Sequence, residues 1–287
     1  MKKNILLLCT GGTIASSKGV CGLTPGLDGE DILRYIPAAE DFCHIEVLEI
    51  CKIDSTNMTP VHWRIIMNAV KDNYDKYDGF VILHGTDTMA YTAAALSYMI
   101  QNSRKPIVFT GSQKPISQDI TDARKNLIDS VFYACDDQSC GVTVVFHGIV
   151  IAGTRAKKIR AHSYDAFTSV NFPVLASVHD GHLIRFIPQG NLTGAVRFQE
   201  AMNDSIAVLK LIPGSRPGLL EYLFEHYDCL VIESFGLGGI PESIREEFYA
   251  QMRYWESRGK AVVIATQVMN EGSDMEVYEV GQQVKKD

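Results

Sequence analysis

The stretch ILLLCTGGT, residues 5–13, decides the fold because an apolar segment runs directly into a glycine turn. Its five apolar residues, 5–9, suit a buried strand and are too few to span a membrane. Lys2 and Lys3 precede them as in a secretory leader, but the apolar run is short and no small-residue cleavage site precedes Cys9. The sequence therefore predicts a first β-strand that ends in a tight turn.

Similar apolar runs recur along the chain and alternate with segments of helical periodicity. The strand candidates are residues 5–9, 45–50, 79–83, 106–110, 142–146, 206–211, 229–233 and 261–265. The helix candidates are residues 60–74, 88–100, 119–134 and 241–258, and the first of these has Thr59 as an N-cap and Pro60 at the first helical position. This alternation predicts an α/β fold with a mostly parallel sheet flanked by helices.

The segment 181–204 interrupts that alternation, because it is polar, contains Pro188, Gly190 and Gly194, and has no sustained period. A chain of 287 residues is long enough for two domains. We expect a large N-terminal domain over residues 1–185, a linker over 186–204 and a smaller C-terminal α/β domain over 205–287.

Composition excludes several classes of partner. The net charge is −7, so no broad basic surface is expected to hold nucleic acid or an acidic membrane. The seven cysteines are odd in number and lack CxxC spacing, which favours reduced thiols and a cytoplasmic location. The sequence therefore predicts a protein that binds neither nucleic acid nor membrane.

Two glycine-containing segments follow predicted strands, where ligands collect in open α/β sheets. In TGGTIAS, residues 10–16, the turn is expected to leave the hydroxyls of Thr10 and Thr13 exposed, although a turn with incidental threonines fits equally. In HGTDTMA, residues 84–90, Asp87 lies beside Thr86 at a helix start. Either residue caps that helix, or Asp87 binds an ammonium group while Thr86 positions water. His84 is interpreted as structural.

A third segment, GTRAKKIR at residues 153–160, is basic. Lysine and arginine runs are usually solvated, but one lysine held in a cleft can act as a base when desolvation lowers its pKa. The residues alone do not indicate which lysine this is.

The sequence predicts no cofactor or metal. Neither the dinucleotide motif GxGxxG nor the phosphate-binding motif GxxxxGK[ST] is present. The pair in HDGH, residues 179–182, lies in a predicted turn and falls short of a zinc signature.

Together these segments resemble the signatures of the bacterial-type L-asparaginase family, in its cytoplasmic type I branch. The resemblance continues through IDSTNMTP at 53–60, TGSQ at 110–113, AHSYDAF at 161–167 and ATQ at 265–267. It implies hydrolysis of L-asparagine to L-aspartate and ammonia through a threonine nucleophile and a β-aspartyl acyl-enzyme. It also implies a homodimer or homotetramer.

The resemblance assigns roles to individual residues. The implied catalytic residues are Thr13 as nucleophile, with Thr86, Asp87 and Lys158, and Lys157 is the less favoured alternative to Lys158. The implied substrate-binding residues are Ser55, Thr56, Gly85, Asp87 and Ser112.

Two features depart from the family pattern. The helper tyrosine often lies on the loop after TGGT, but residues 17–29 contain no tyrosine, so Tyr278 in MEVYEVG is the candidate. Similar proteins also continue into terminal helices beyond the end of this chain, so we expect the second domain to be truncated.

Three alternative functions stay open from the sequence. The first is a related amide hydrolase, either a glutaminase or the asparaginase-like subunit of a tRNA amidotransferase, which usually carries an extra N-terminal domain. The second is a non-catalytic amino-acid sensor, and the third is a metal hydrolase.

Overall fold

The computed structural model describes residues 2–19, 22–188, 194–216 and 218–274. The chain divides into two compact units, Met1–Glu200 and Ala201–Asp287. The strands are β1 (Lys3–Gly11), β2 (Ser16–Gly19), β3 (Gly22–Pro25), β4 (Cys43–Ile53), β5 (Gly79–Leu83), β6 (Ile100–Gln101), β7 (Pro106–Thr110), β8 (Gly141–Phe146), β9 (Ile149–Ala152), β10 (Ala156–Lys158), β11 (Phe167–Ser169), β12 (Ala176–His179), β13 (His182–Arg185), β14 (Arg197–Phe198), β15 (Ile206–Lys210), β16 (Cys229–Ser234) and β17 (Ala261–Thr266). The helices are α1 (Gly29–Leu33), α2 (Pro60–Asn73), α3 (Met89–Met99), α4 (Ala123–Cys135), α5 (Gly218–His226) and α6 (Glu242–Glu256).

An eight-stranded sheet organises the first unit, in the order β13-β12-β9-β8-β7-β5-β1-β4. The block from β4 to β8 is parallel, whereas β9, β12 and β13 extend one edge with antiparallel pairing. The predicted α/β class with a large, mostly parallel sheet is therefore confirmed. The antiparallel edge was not predicted.

The centre of this sheet is covered on both faces. Every residue of β5 and β7 is buried, although successive side chains of a strand point to opposite faces. On one face, Leu127 of α4 belongs to the same buried cluster as Val81 and Val108. Burial on both faces explains why these strands read as continuous apolar runs in the sequence.

The strand order reverses at β1, and this reversal positions the site. The chain leaves β1 to form β4 on one side, and later forms β5 on the other side of β1. Ligands of open α/β sheets bind at the carboxyl ends of strands next to such a reversal. The TGGT turn at the end of β1 therefore lies between the loops that follow β4 and β5.

The second unit contains a three-stranded parallel sheet, in the order β15-β16-β17, with α5 and α6. Its core includes Leu220 and Phe224 of α5, Ile232 of β16 and Phe248 of α6. The Trp255 ring stacks against Phe224, with 6.1 Å between ring centroids. The smaller α/β domain expected at the carboxyl end is thus confirmed, although α5 was not predicted.

No helix in the described part of the chain is both long enough and apolar enough to cross a membrane.

Candidate active site

Four loops meet where β1, β4, β5 and β7 end. Gly11 is the register partner of Ile53, and Gly12 N–H donates to the Ile53 carbonyl at 3.2 Å. On the other side of β5, His84 N–H donates to the Thr110 carbonyl at 2.9 Å. Backbone hydrogen bonds therefore continue past the strand ends and hold the loops side by side.

Two glycines allow three of these loops to touch. Gly12 has φ 85° and ψ 179°, a backbone conformation that is nearly exclusive to glycine. A Cβ atom on Gly12 would lie 2.5 Å from the Gly85 nitrogen, and one on Gly85 would lie 2.5 Å from Ser55 Oγ. The second glycine of TGGT thus brings the loop that carries Thr13 into contact with the loop that carries Thr86.

The two threonines of TGGT have different surroundings. Thr10 is buried and its hydroxyl donates to the Leu83 carbonyl at 2.8 Å, so the expectation that it is exposed was wrong. Thr13 is half-buried and opens the 3-10 turn Thr13–Ala15. Because the Thr10 hydroxyl bonds the neighbouring strand, Thr13 is the threonine of this motif that suits contact with a ligand.

Lys158 joins the second signature segment to the basic one. It ends β10, which pairs with β11, and its Nζ lies 2.7 Å from both Thr86 Oγ1 and Asp87 Oδ1. The Lys158 side chain is 18% exposed and that of Asp87 is 59% exposed, so the ammonium is held inside while the carboxylate faces solvent. Lys157 is exposed. The geometry therefore favours Lys158 over Lys157.

Thr86 also contacts Gln113, which the sequence analysis did not single out. The Thr86 hydroxyl accepts from Lys158 and donates to Gln113 Oε1 at 3.2 Å. Gln113 Nε2 donates to the Ser163 carbonyl at 3.2 Å. The sequence offered one signal for Gln113 that the analysis did not use, namely its position just after the carboxyl end of β7.

A buried carboxylate holds the loop that carries Gln113. Asp122 accepts from the backbone N–H groups of Gln113, at 2.9 Å, and Lys114, at 3.2 Å, and from Asn126 Nδ2 at 3.1 Å. Asn126 Nδ2 also donates to the Gly111 carbonyl at 3.0 Å. Burial raises the pKa of the Asp122 carboxyl, while these hydrogen bonds oppose the rise. The polar spacing of residues 122 and 126 was the available sequence signal.

Neither Thr86 nor Asp87 caps α3, so that structural interpretation was wrong. The N-cap residue is Thr88, without a side-chain capping bond, and its hydroxyl instead donates to the Ser55 carbonyl at 2.8 Å. The Asp87 carboxylate pairs with Lys158. Both side chains of the TD pair therefore point to Lys158.

The predicted substrate-binding serines and threonine differ in their surroundings. Ser55 is buried against Gly85. The exposed Thr56 hydroxyl donates to Asp54 Oδ1 at 2.8 Å, and the buried Ser112 hydroxyl donates to the Lys114 carbonyl at 2.5 Å. The structure thus brings Ser55 and Gly85 together, whereas Thr56 and Ser112 make bonds within their own loops.

Two remaining predictions concern other parts of the chain. Tyr278 lies outside the described residues. The HDGH segment forms the turn between β12 and β13, with Asp180 at φ 49° and Gly181 at φ 73°. Within the ranges that the structure describes, no three His, Cys, Asp or Glu side chains are grouped to hold a metal ion.

Comparison with known proteins gives matches over nearly the whole chain. The family model described as Asparaginase, N-terminal matches residues 4–189, and that of the Glutaminase/Asparaginase C-terminal domain matches residues 205–287. An L-asparaginase of Thermococcus kodakarensis is 39% identical, over 96% of this chain and 84% of that protein. A glutamyl-tRNA(Gln) amidotransferase subunit of Methanosphaera stadtmanae is 34% identical, over 99% of this chain and 67% of that protein. The solved structure of the thermostable L-asparaginase from Thermococcus kodakarensis has a TM-score of 0.90 at 35% identity, and the match covers 99% of this chain and 86% of that one.

Proposed function

Since this chain belongs to the asparaginase family, we propose that it is an L-asparaginase that hydrolyses L-asparagine to L-aspartate and ammonia. One observation carries the proposal: Lys158 Nζ lies 2.7 Å from both Thr86 Oγ1 and Asp87 Oδ1, beside the loop of Thr13. A hydroxyl, an ammonium and a carboxylate therefore form one group beside the loop that carries a second hydroxyl, that of Thr13. This set of groups suits acyl transfer from an amide.

In the first half of the proposed reaction, Thr13 Oγ attacks the side-chain carboxamide carbon. A hydroxyl is a weak nucleophile until a base removes its proton, and we assign that assistance to Tyr278 together with the Thr86–Lys158–Asp87 group. The C–N bond then breaks, the nitrogen takes up a proton and leaves as ammonia, and Thr13 carries a β-aspartyl ester.

In the second half, water attacks the ester carbon. We place this water beside Thr86, whose hydroxyl oxygen accepts a hydrogen bond from Lys158. The ester C–O bond breaks, the proton returns to Thr13 Oγ, and aspartate leaves. A base positioned in this way contributes about 10²–10⁴ in rate.

The oxygen of the reacting carboxamide gains negative charge in both halves. We assign its stabilisation to backbone N–H groups at the start of the HGTDT loop, in particular that of Thr86. Such a donor is worth about 10²–10³ in kcat.

Recognition of the amino-acid end is assigned to Asp87 and Ser55. The Asp87 carboxylate is 59% exposed, so a substrate ammonium can reach it while Lys158 remains paired. Ser55 is buried against Gly85 and is assigned to the α-carboxylate. With both charged ends fixed, the distance to Thr13 selects the length of the side chain and favours asparagine over glutamine. Because one methylene discriminates by only about 10–200-fold, slower release of ammonia from glutamine is expected.

The test compares the two threonines of one motif. We expect Thr13→Ala to abolish ammonia release from asparagine while aspartate still binds, and Thr13→Ser to retain part of the activity. The matched control is Thr10→Val, which removes the hydroxyl that donates to Leu83 and costs about 1 kcal/mol of stability. Full turnover by Thr13→Ala, or loss of turnover only in folded Thr10→Val, would overturn the assignment.

The similarity to an amidotransferase subunit suggests a competing interpretation. In it, the substrate is glutamine or a glutamyl-tRNA complex and not asparagine. A coupled assay of ammonia release, run with asparagine and with glutamine, separates the two interpretations, since a higher kcat/KM for glutamine contradicts our proposal. Assembly as a homodimer or homotetramer and a cytoplasmic location remain predictions. No disulfide bond joins any of the cysteines in the described ranges, which is compatible with that location.

A further inference from the structure

A chain of hydrogen bonds through the side chains of Trp63, Thr92 and His84 ends at the loop that carries Thr86. None of these three residues is assigned to the substrate. His84, fully buried, has Nδ1 2.7 Å from the Gly85 carbonyl and Nε2 2.9 Å from Thr92 Oγ1. Trp63 Nε1 lies 3.0 Å from the same Thr92 oxygen. The three residues come from α2, α3 and the end of β5, so the chain connects two helices to the sheet.

The two ends of this chain fix the directions of its outer hydrogen bonds, and the charge of the His84 ring fixes that of the middle one. An indole N–H only donates and a carbonyl oxygen only accepts. Trp63 therefore donates to Thr92, the Thr92 hydroxyl donates to His84 Nε2, and His84 Nδ1–H donates to the Gly85 carbonyl. This pattern needs a neutral ring with its proton on Nδ1. Burial supports it, since it lowers the pKa of His84 to about 4.

This chain of hydrogen bonds ends at the peptide group that joins Gly85 to Thr86. When a carbonyl accepts a hydrogen bond, the N–H of the same peptide becomes a better donor, by about 10–30% in strength. The N–H of this peptide is that of Thr86. The same peptide is confined from outside, because Gly85 contacts the backbone of Gly12 and the side chain of Ser55.

We propose that His84, held by Thr92 and Trp63, is a positioning residue that orients the Gly85–Thr86 peptide so that the Thr86 N–H faces the reacting carboxamide oxygen. This inference rests on the proposed function, because it deepens the role given there to the Thr86 N–H. His84 itself takes no part in proton transfer, since both of its ring nitrogens are engaged and the ring is sealed from solvent.

The first test uses two amides that each preserve one nitrogen of the ring. The Asn amide in His84→Asn can place a donor near the Nδ1 position and keep the bond to Gly85. The Gln amide in His84→Gln reaches toward Thr92 and loses that donor. Both variants lose the packing of the ring, so each controls for the other. We expect kcat for asparagine to fall at least about tenfold further in His84→Gln than in His84→Asn, with KM changed much less. Equal losses of kcat that follow the loss of stability would overturn the proposal.

The second test changes Thr92, the middle residue of the three hydrogen-bonded side chains. Thr92→Val keeps the shape but removes the hydroxyl that sets the tautomer of His84, whereas Thr92→Ser keeps the hydroxyl. We expect kcat to fall in the first and recover in the second. The matched control is Thr143→Val, because the Thr143 hydroxyl is also buried but has no hydrogen-bond partner among the described residues. A fall of kcat in Thr143→Val as large as that in Thr92→Val contradicts the inference.

A third measurement does not depend on activity. The imidazole 15N chemical shifts of the labelled protein report the tautomer, and the His84 signal is identified by its loss in His84→Asn. We expect the Nδ1–H form in the unaltered protein and loss of that preference in Thr92→Val. If the protein does not hydrolyse asparagine, the proposed function fails, but the 15N chemical shifts still test the hydrogen bonds from Trp63 to Gly85. If it hydrolyses asparagine and His84 carries its proton on Nε2, the inference alone fails.

Discussion

Replacing Gly12 by alanine tests whether contact between the TGGT and HGTDT loops is essential. A Cβ atom on residue 12 would lie 2.5 Å from the Gly85 nitrogen and 2.6 Å from the Gly85 Cα, whereas ordinary contact begins at 3.4 Å. The difference is 0.9 Å, and backbone atoms on both sides oppose the movement. We therefore expect Gly12→Ala to separate Thr13 from Thr86 by nearly that distance.

Two costs add in this variant. The backbone conformation of Gly12, φ 85° and ψ 179°, costs about 1–3 kcal/mol for other residues. Overpacking costs about 1–3 kcal/mol more. We expect the free energy of unfolding to fall by about 2–6 kcal/mol. Because a misplacement of about 1 Å can cost about 10²-fold in rate, kcat for asparagine should fall about 100-fold in the fraction that remains folded.

Gly181→Ala is the matched control. Gly181 also has a positive φ, 73°, but a Cβ atom there would meet nothing within 4 Å. The variant therefore carries backbone strain of about 1 kcal/mol without the contact, and its turn follows β12, which β9 and β8 separate from β7 of the site. Urea unfolding and initial rates of ammonia release measure both variants. The reasoning is refuted if Gly12→Ala unfolds and turns over like Gly181→Ala.

Two further predictions follow from the site. Lys158→Met should lower kcat by about 10²–10⁴, because Thr86 and Asp87 lose the ammonium between them, while Lys157→Met should keep near-normal release of ammonia; equal losses would contradict this. Between pH 6.5 and pH 4, the free energy of unfolding of the unaltered protein should fall by about 3 kcal/mol more than that of His84→Asn. The reason is that burial lowers the folded-state pKa of His84 to about 4, below its ordinary value of 6.5, so the unfolded chain takes up the proton first. This stability is complete above pH 6.5 and is lost as the pH falls; urea titrations across that range measure it, and a difference independent of pH would argue against it.

The sequence predicted the central parallel strands most exactly, because these strands are buried on both faces and therefore read as apolar runs. The runs at 79–83 and 106–110 coincide with β5 and β7. The same reasoning missed β13, in which two of the four residues are polar and none is buried, and β12, which is only four residues long. Edge strands carry a weak apolar signal, so composition and period alone do not reveal them.

The candidate site was predicted unevenly. Glycine turns at strand ends predicted two ligand-facing loops, those of Thr13 and Thr86, and the structure brings these two loops together. Which lysine approaches Thr86 is decided by a contact between residues 72 positions apart in the sequence, and local spacing does not encode such a contact. Gln113 and Asp122 were missed for the same reason, since their roles come from hydrogen bonds between a strand-end loop and a helix start.

The placement of the two tryptophans has a practical consequence. The chain has two tryptophans, Trp63 in the first compact unit and Trp255 in the core of the second. Each unit thus contains its own intrinsic fluorophore, and replacing either ring by phenylalanine leaves an emission signal from one unit alone. Coincident denaturation curves from the two single-tryptophan proteins would show that the units unfold as one cooperative body, and separated curves would show that each melts independently.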